Sequence, residues 1–283
     1  MMRLLLDIGN SRLKWALLRQ DYRRGQRLAT QDAIELGRLQ RAAAAWERLL
    51  ARAGTPDAIH VCNVAGPAVE RQIRAAAARV GLPVPHFARS MKAAAGVRNG
   101  YREPWRLGVD RWTALIGARH EHPAKNLCLV GLGTAMTIDL LDAAGRHHGG
   151  SLAPGPRLMI ESLLEHTAGI RRRAGGRAAA ASFDLVLGAA TRAGAVELFA
   201  HDTYAALLAG SRHACASLIE QALSAGRSQL GRQPRLLLFG GAASAITPLL
   251  HGRYWRQDDL ILRGLAVLAA TPFAPDRIKS KRA

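Results

Sequence analysis

Residues 4–17 read LLLDIGNSRLKWAL, which is an apolar run, a glycine turn and a second apolar run. Three consecutive leucines before the turn are typical of a buried strand, and the alternating apolar residues after it are typical of a second strand. Gly9 allows the chain to turn tightly between the two strands. We therefore expect a β-hairpin with Gly9 and Asn10 at its tip.

A second stretch, LCLVGLGTAMTIDL at residues 127–140, repeats this pattern. Superposing Gly133 on Gly9 places Gly131 on Asp7, at the end of the strand and facing the same side. Two copies of one strand–turn–strand unit predict two similar lobes with a cleft between them, and such clefts are preferred ligand sites. Chance similarity of two hairpins is the alternative, and it stays open at this point.

Strands and helices alternate along the rest of the chain, which indicates an α/β architecture. We divide the chain into an N-terminal lobe, residues 1–118, and a C-terminal lobe, residues 119–283. The segment 169–181, rich in glycine, arginine and alanine, predicts a mobile basic loop. Predicted helices cover residues 36–50, 67–80, 107–119, 156–164, 183–226, 244–250 and 260–269; the predicted strands after the first hairpin are 58–64, 126–130, 136–141 and 236–239.

The 283 residues carry a net charge of +19, which arginine largely supplies. Such a charge attracts anions, including ATP, acidic metabolites and nucleic acid. The high alanine, arginine and glycine content of a GC-rich gene is the favoured explanation of the charge. Cys62, Cys128 and Cys215 lie far apart and form no metal-binding or disulfide pattern. No run reaches the roughly 18–20 apolar residues of a membrane span, and no signal peptide is recognisable. We expect a soluble cytoplasmic protein without a specific nucleic-acid partner.

Three glycine turns after buried strands are the candidate ligand-binding features. Backbone N–H groups at the turns of Gly9 and Gly133 are suited to phosphate oxygens, and the Asp7 carboxylate can hold Mg²⁺ directly or through water. Gly240 and Gly241 leave room for a flat purine or ribose. Each turn alone is compatible with a plain hairpin or strand-to-helix turn, and none is a Walker loop or a G-x-G-x-x-G fingerprint.

Four motifs in this order resemble those of type III pantothenate kinases: Asp7 to Ser11, Gly100 to Trp112, Gly133 to Asp139 and Gly149 to Gly155. The resemblance spans residues 4–268. It implies the actin-like ATPase (ribonuclease H-like) fold, with two similar lobes and an interlobe cleft. It also implies ATP-dependent phosphorylation of pantothenate to 4'-phosphopantothenate, the first step of coenzyme A biosynthesis. A homodimer, Mg²⁺ and a monovalent cation, K⁺ or NH₄⁺, are further implications.

The resemblance also assigns roles to residues. Asp110 is the general base that accepts the hydroxyl proton of pantothenate. The candidates for pantothenate binding are Tyr101, Gly108, Val109, Asp110, Arg111, Ala181 and Ser182. The candidates for ATP and Mg²⁺ binding are Asp7, Ile8, Gly9, Asn10, Ser11, Arg12, Leu13, Lys14, Gly133, Thr134, Gly240 and Gly241.

Two positions depart from the family pattern. Gly131 occupies the place where the family usually has an aspartate that helps to bind the monovalent cation, so the need for K⁺ is in doubt, although Asp139 is a nearby substitute. Ala181, with Ser182 beside it, occupies the place of a threonine that contacts pantothenate.

Alternatives remain for individual residues and for the whole protein. Without the resemblance, a helix cap is the favoured interpretation of Asp110. Arg111 is suited to the pantothenate carboxylate, or to a structural ion pair with Asp110 or Asp139. The whole chain is also compatible with another sugar or acetate kinase of this superfamily, which the segment 107–112 disfavours. A catalytically weak homologue that acts as a transcriptional accessory protein is the second alternative.

Overall fold

The computed structural model describes residues 1–19, 21–41, 43–175 and 197–270. Twelve strands are present in these ranges: β1 Arg3–Ile8, β2 Arg12–Leu18, β3 Ala29–Glu35, β4 Ala58–Asn63, β5 His86–Phe87, β6 Ala93–Ala94, β7 Val97–Arg98, β8 Leu127–Leu132, β9 Ala135–Leu141, β10 His147–Pro154, β11 Arg235–Phe239 and β12 Tyr254–Arg256.

The same ranges contain nine α-helices and two short 3₁₀ turns, Pro104–Arg106 and Thr247–Leu249. None of the helices in the described part of the chain is long and apolar enough to cross a membrane. The α-helices are α1 Leu36–Gln40, α2 Ala43–Arg52, α3 Pro67–Arg79, α4 Val109–Glu121, α5 Pro156–His166, α6 Ala168–Arg173, α7 Thr203–Leu230, α8 Ala243–Ile246 and α9 Leu260–Ala270.

Two five-stranded sheets have the same topology, which confirms the two similar lobes predicted from the sequence repeat. The strand orders are β3-β2-β1-β4-β5 and β10-β9-β8-β11-β12. In each sheet an antiparallel hairpin, β1–β2 or β8–β9, lies beside a parallel strand, β4 or β11. The two glycine turns therefore occupy equivalent positions in the two sheets.

The two hairpin turns differ in length by one residue. The first hairpin pairs Ile8 with Leu13, whereas the second pairs Leu132 with Met136. The superposition of the two glycines is therefore right for the strand before the turn, but it must be shifted by one residue for the strand that follows.

Helices α4 and α9 lie between the two sheets. Leu115 and Ala118 of α4 pack with the second sheet, and Leu262 and Leu265 of α9 pack with the first. The two helices touch through their backbones, because a Cβ atom added to Gly264 would lie 1.9 Å from the carbonyl oxygen of Thr113. This packing places α4 beside β4 of the first sheet. Residue 118 lies inside α4, and the division of the chain at that residue stays a prediction.

Several elements differ from the sequence predictions. The helix predicted over 36–50 is two helices, α1 and α2. Strand β10 was not predicted, because the polar and glycine-rich start of this edge strand lacks an apolar pattern. Residues 168–173 form a helix rather than a loop, and β3 and β12 were not predicted. The remainder of the predicted basic loop, the start of the helix predicted over 183–226 and the basic tail lie outside the described residues.

Candidate active site

The two glycine turns meet across the cleft between the lobes. The hydroxyl oxygens of Ser11 and Thr134 are 2.9 Å apart and hydrogen bonded. The third turn is close as well, because a Cβ atom added to Gly241 would lie 3.8 Å from Nη1 of Arg12. The three glycine turns predicted from the sequence therefore converge at one place.

A second contact joins the lobes beside these turns. Nζ of Lys14 donates a hydrogen bond of 3.0 Å to the backbone carbonyl of Asp258. Ile8 and Leu13, which are also among the candidate ATP residues, are fully buried in the core of the first lobe. Their side chains therefore support the turn, and only their backbones remain for a ligand.

The carboxylate of Asp7 lies at the end of β1, between Lys14 on β2 and Cys62 on β4. Burial raises its pKa to about 7; the positive charge of Lys14 lowers the pKa, and the negative charge of Asp110 raises it. Asp7 and Asp110 are thus close enough to influence each other, although they are 103 positions apart in the sequence.

Asp110 lies in the first turn of α4, but it does not cap the helix. The N-cap residue is Gly108, without a side-chain capping bond, and Val109 begins the helix. Oδ1 of Asp110 accepts a hydrogen bond of 2.9 Å from the backbone N–H of Arg111. Burial, the largest effect, raises the pKa of the Asp110 carboxyl, although the nearby Arg111 lowers it. A carboxylate with a raised pKa at a helix N-terminus in a cleft is suited to accept a proton.

Cys62 is a neighbour of both aspartates that the sequence did not single out. Its thiol is buried and hydrogen bonds to Thr113, and burial together with Asp7 and Asp110 raises the pKa of the thiol well above its usual value. A thiol with such a pKa stays protonated near neutral pH, so Cys62 serves as a small packing residue beneath the carboxylates.

Arg111 forms the ion pair that was one of its two sequence-based alternatives, and its partner is Asp139. Nε and Nη2 donate to the two carboxylate oxygens of Asp139 at 2.9 and 2.7 Å. Nη1 donates to the hydroxyl oxygen of Tyr101 at 2.8 Å. These bonds place Tyr101 beside the start of α4, although it lies in a loop outside the regular elements. One further hydrogen on each terminal nitrogen remains for another acceptor.

His147 completes this network and was not among the site residues expected from the sequence. Its Nε2 lies 2.9 Å from Oδ1 of Asp139 in a fully buried position. The network leaves no space for a side chain at residue 150, because a Cβ atom added to Gly150 would lie 2.5 Å from Nη2 of Arg111. Gly150 of the fourth motif is therefore required by the Arg111–Asp139 pair.

Gly131 occupies the position in the second lobe that Asp7 occupies in the first. Its neighbours on the adjacent strands are Thr137 and Phe239. A Cβ atom added to Gly131 would lie 2.7 Å from Oγ1 of Thr137 and 2.8 Å from Cζ of Phe239. That this position faces the cleft in the same way as Asp7 stays a prediction, but the ring of Phe239 fills the space that a side chain at residue 131 would need. Phe239 was not identified as relevant from the sequence.

The side chains at this site fit Mg²⁺ but not the expected monovalent cation. The carboxylates of Asp7 and Asp110 are the oxygen ligands that Mg²⁺ prefers, and their raised pKa values indicate that a cation would stabilise their charged forms. The monovalent cation does not fit at residue 131, which has no side chain and is covered by an apolar ring. Asp139, the possible substitute, is already paired with Arg111 and His147. Ala181 and Ser182 lie outside the described residues.

Comparisons with known proteins by family model, by sequence and by structure agree with one another. The family model described as type III pantothenate kinase matches residues 3–225. A type III pantothenate kinase of Burkholderia thailandensis is 40% identical, with 94% of this chain and 97% of that protein covered. One of Nitrosococcus oceani is 33% identical, with 94% and 93% covered. The structure of a ROK family glucokinase from Streptomyces griseus, 13% identical, superposes with a TM-score of 0.51 over 95% of this chain and 99% of that one, which shows the fold alone.

Proposed function

The chain belongs to the type III pantothenate kinase family and phosphorylates pantothenate with ATP in coenzyme A biosynthesis, and we propose that Asp110 is the base of this reaction. The observation that carries the proposal is the pair of half-buried carboxylates, Asp7 and Asp110, beside the point where the two glycine turns meet. The primary hydroxyl oxygen of pantothenate attacks the γ-phosphorus, and its proton passes to Asp110. The bond from the γ-phosphorus to the bridging oxygen breaks, and ADP leaves.

We propose that the glycine turns and Asp7 hold ATP. The hydroxyls of Ser11 and Thr134 are within reach of one ligand, since they already bond to each other. Lys14 lies next to Asp7 on the neighbouring strand and adds a positive charge. Asp7, with Asp110 nearby, would hold Mg²⁺, which when bound neutralises phosphate charge. Gly240 and Gly241 would accommodate the adenosine.

Pantothenate binding is assigned to the start of α4 and the loop before it. The Tyr101 hydroxyl and the remaining N–H groups of Arg111 are donors suited to the carboxylate and amide oxygens of pantothenate. Gly108 and Val109 form the backbone beside them. Ala181 and Ser182 stay predictions from the family pattern.

A direct assay tests the function. Purified protein with ATP, Mg²⁺ and pantothenate should give ADP and phosphopantothenate in equal amounts, with the product identified by mass spectrometry. Glucose and acetate, offered in place of pantothenate, should give no product above the background hydrolysis of ATP. Product from glucose or acetate and not from pantothenate would contradict the assignment. The family and its relatives favour the kinase over the transcriptional accessory protein. We expect any nucleic-acid binding to be weak and lost as salt rises.

We predict that the enzyme does not depend on K⁺ or NH₄⁺. Gly131 supplies no ligand, and Phe239 covers the position where an aspartate would project. At constant ionic strength, replacing choline chloride by KCl or NH₄Cl should change kcat/KM less than about twofold. The melting temperature without substrates should also be insensitive to K⁺, because a bound ion would stabilise the folded state.

The choline series is the control for ionic strength, and a NaCl series is the control for cation size. A saturable K⁺ requirement at millimolar concentration, absent with Na⁺, would show that other groups form a cation site and would refute the prediction.

We propose that the protein is a cytoplasmic homodimer, as the family implies. Leu152 is 64% exposed and Leu163 is 43% exposed. Leu163 lines an apolar cavity of about 790 Å³ between α5 and α7, together with Leu158 and Leu207. An exposed apolar face of this kind is typical of an interaction surface, and twofold dimers are the most frequent assemblies. The dependence on ATP supports the cytoplasmic location.

A further inference from the structure

A buried network lies behind the proposed pantothenate site, and the roles given above leave two of its members unexplained. Arg111 is 4% exposed, Asp139 is 3% exposed and His147 is fully buried. The guanidinium and carboxylate form two hydrogen bonds with each other, and His147 adds a third to the same carboxylate. A buried ion pair with such bonding holds its members in one orientation.

The network fixes Tyr101 from two sides. The tyrosine ring stacks on His147, with ring centres 5.9 Å apart and an interplanar angle of 16°. Its hydroxyl oxygen accepts the hydrogen bond from Nη1 of Arg111. Because that bond uses a lone pair of the oxygen, the hydroxyl hydrogen points elsewhere and is available to an acceptor on a ligand.

The contacts of His147 determine which ring nitrogen carries the proton. Nδ1 lies 3.4 Å from the backbone nitrogen of Gly100, a donor, so Nδ1 is the acceptor. The proton of the neutral ring is therefore on Nε2 and is donated to Asp139. His147 thus connects the loop that carries Tyr101 to the carboxylate that orients Arg111.

We propose that Asp139 and His147 are positioning residues for pantothenate. They hold the hydroxyl of Tyr101 and the free N–H groups of Arg111 as oriented donors for the carboxylate or amide oxygens of the substrate. Neither touches the substrate, and neither takes part in proton transfer. The proposal rests on the proposed function, since it concerns the pantothenate site of the same reaction.

Two amide substitutions at residue 147 separate the contacts of the histidine. In His147→Gln the amide nitrogen falls near the place of Nε2 and keeps the donor to Asp139. In His147→Asn the amide lies near the place of Nδ1, so the contact with Gly100 survives and the bond to Asp139 is lost. We expect His147→Asn to raise the KM for pantothenate about tenfold or more, with the KM for ATP and kcat within about twofold. His147→Gln keeps the bond to Asp139 but loses the ring that stacks on Tyr101, so its KM for pantothenate should lie between those of the wild type and His147→Asn, with the KM for ATP and kcat within about twofold of the wild type.

His148→Asn is the matched control. His148 is the next residue on β10 and also bonds to an aspartate, Asp142, at 2.8 Å, but it does not contact Arg111 or Tyr101. The control should leave the KM for pantothenate unchanged. If His147→Asn is equally silent, or if it changes the constants for ATP and pantothenate alike, the positioning role is refuted.

A double-substitution cycle gives a second, independent test. Tyr101→Phe removes the hydroxyl that His147 is proposed to position. The effects of Tyr101→Phe and His147→Asn on the KM for pantothenate should then be clearly less than additive in free energy. Additive effects would overturn the proposal. If wild-type protein does not phosphorylate pantothenate at all, the proposed function fails, and this outcome is distinct from the failure of the positioning role alone.

Discussion

Asp110→Asn is expected to lower kcat for pantothenate phosphorylation by about 10²-fold or more, the usual scale for the loss of a general base. Asparagine has the shape of aspartate, and its side-chain oxygen still accepts the bond from the N–H of Arg111. The substitution therefore removes proton acceptance without removing the contact that holds the side chain. The change in rate is obtained from product formation, measured by mass spectrometry in single-turnover and in steady-state reactions.

Two further measurements distinguish a chemical defect from a structural one. The affinity for Mg·ATP should stay near the wild-type value, because Asp7 and the glycine turns are unchanged. The melting temperature should not fall, because the substitution removes a negative charge of raised pKa close to Asp7. In the wild type, kcat should fall as the pH is lowered through the raised pKa of Asp110, because only the ionised carboxylate accepts a proton. Asp142→Asn, a change in a turn of the second lobe, is the control. Turnover of Asp110→Asn near the wild-type rate would exclude Asp110 from the mechanism.

The fold was largely predictable because its two halves repeat a local pattern. The apolar runs on each side of Gly9 and Gly133 determine two hairpins, and equivalent local sequences gave equivalent sheets. Strand β10 could not be predicted in the same way. It is an edge strand, and its first residues include two histidines and two glycines, so no alternation of apolar and polar residues marks it.

The candidate site was predictable where a backbone feature determines it. The glycine turns and the helix that begins at Val109 are visible in the sequence, and the structure brings them together. The partners of Arg111 were not decidable, because aspartates lie on both sides of it in the sequence. The choice of Asp139 depends on the register of β9 and on the burial of His147, and both of these are properties of the assembled sheet.

The comparison of Asp7 with Gly131 also shows that a local motif does not reveal which residues lie beside it on adjacent strands. The repeat correctly placed the two residues at equivalent strand positions. The neighbours on the adjacent parallel strands, Cys62 and Phe239, decide what each position can do. A small thiol leaves space for a carboxylate, whereas a phenyl ring fills that space. Both neighbours are distant in sequence from the turns, so no local motif reports them.

Asp7→Asn is expected to reduce the use of Mg·ATP by about 10²-fold or more in kcat/KM, because its carboxylate, at the end of β1 before the Gly9 turn, is the proposed ligand of Mg²⁺. The affinity for pantothenate, measured by calorimetry without nucleotide, should remain near the wild-type value, because the proposed donors to pantothenate are Tyr101 and Arg111 and not Asp7. Asp21→Asn is the control, because this carboxylate of the first lobe is 80% exposed. Loss of pantothenate binding alone would reverse the assignment of the two substrates to their parts of the cleft.

The same substitution should stabilise the protein, which a purely structural role of Asp7 would not do. The pKa of Asp7 rises from 3.8 to about 7 on folding. The ionised carboxylate therefore destabilises the folded state relative to the unfolded state. This destabilisation grows as the pH rises above about 4 and is complete above about 7. In buffer without Mg²⁺, the melting temperature of Asp7→Asn should exceed that of the wild type by a few degrees at pH 8 and by much less at pH 4.5. A lower melting temperature of Asp7→Asn at pH 8 would show that the ionised Asp7 stabilises the folded protein. That result would contradict the view that the carboxylate destabilises the fold and is present because it binds Mg·ATP.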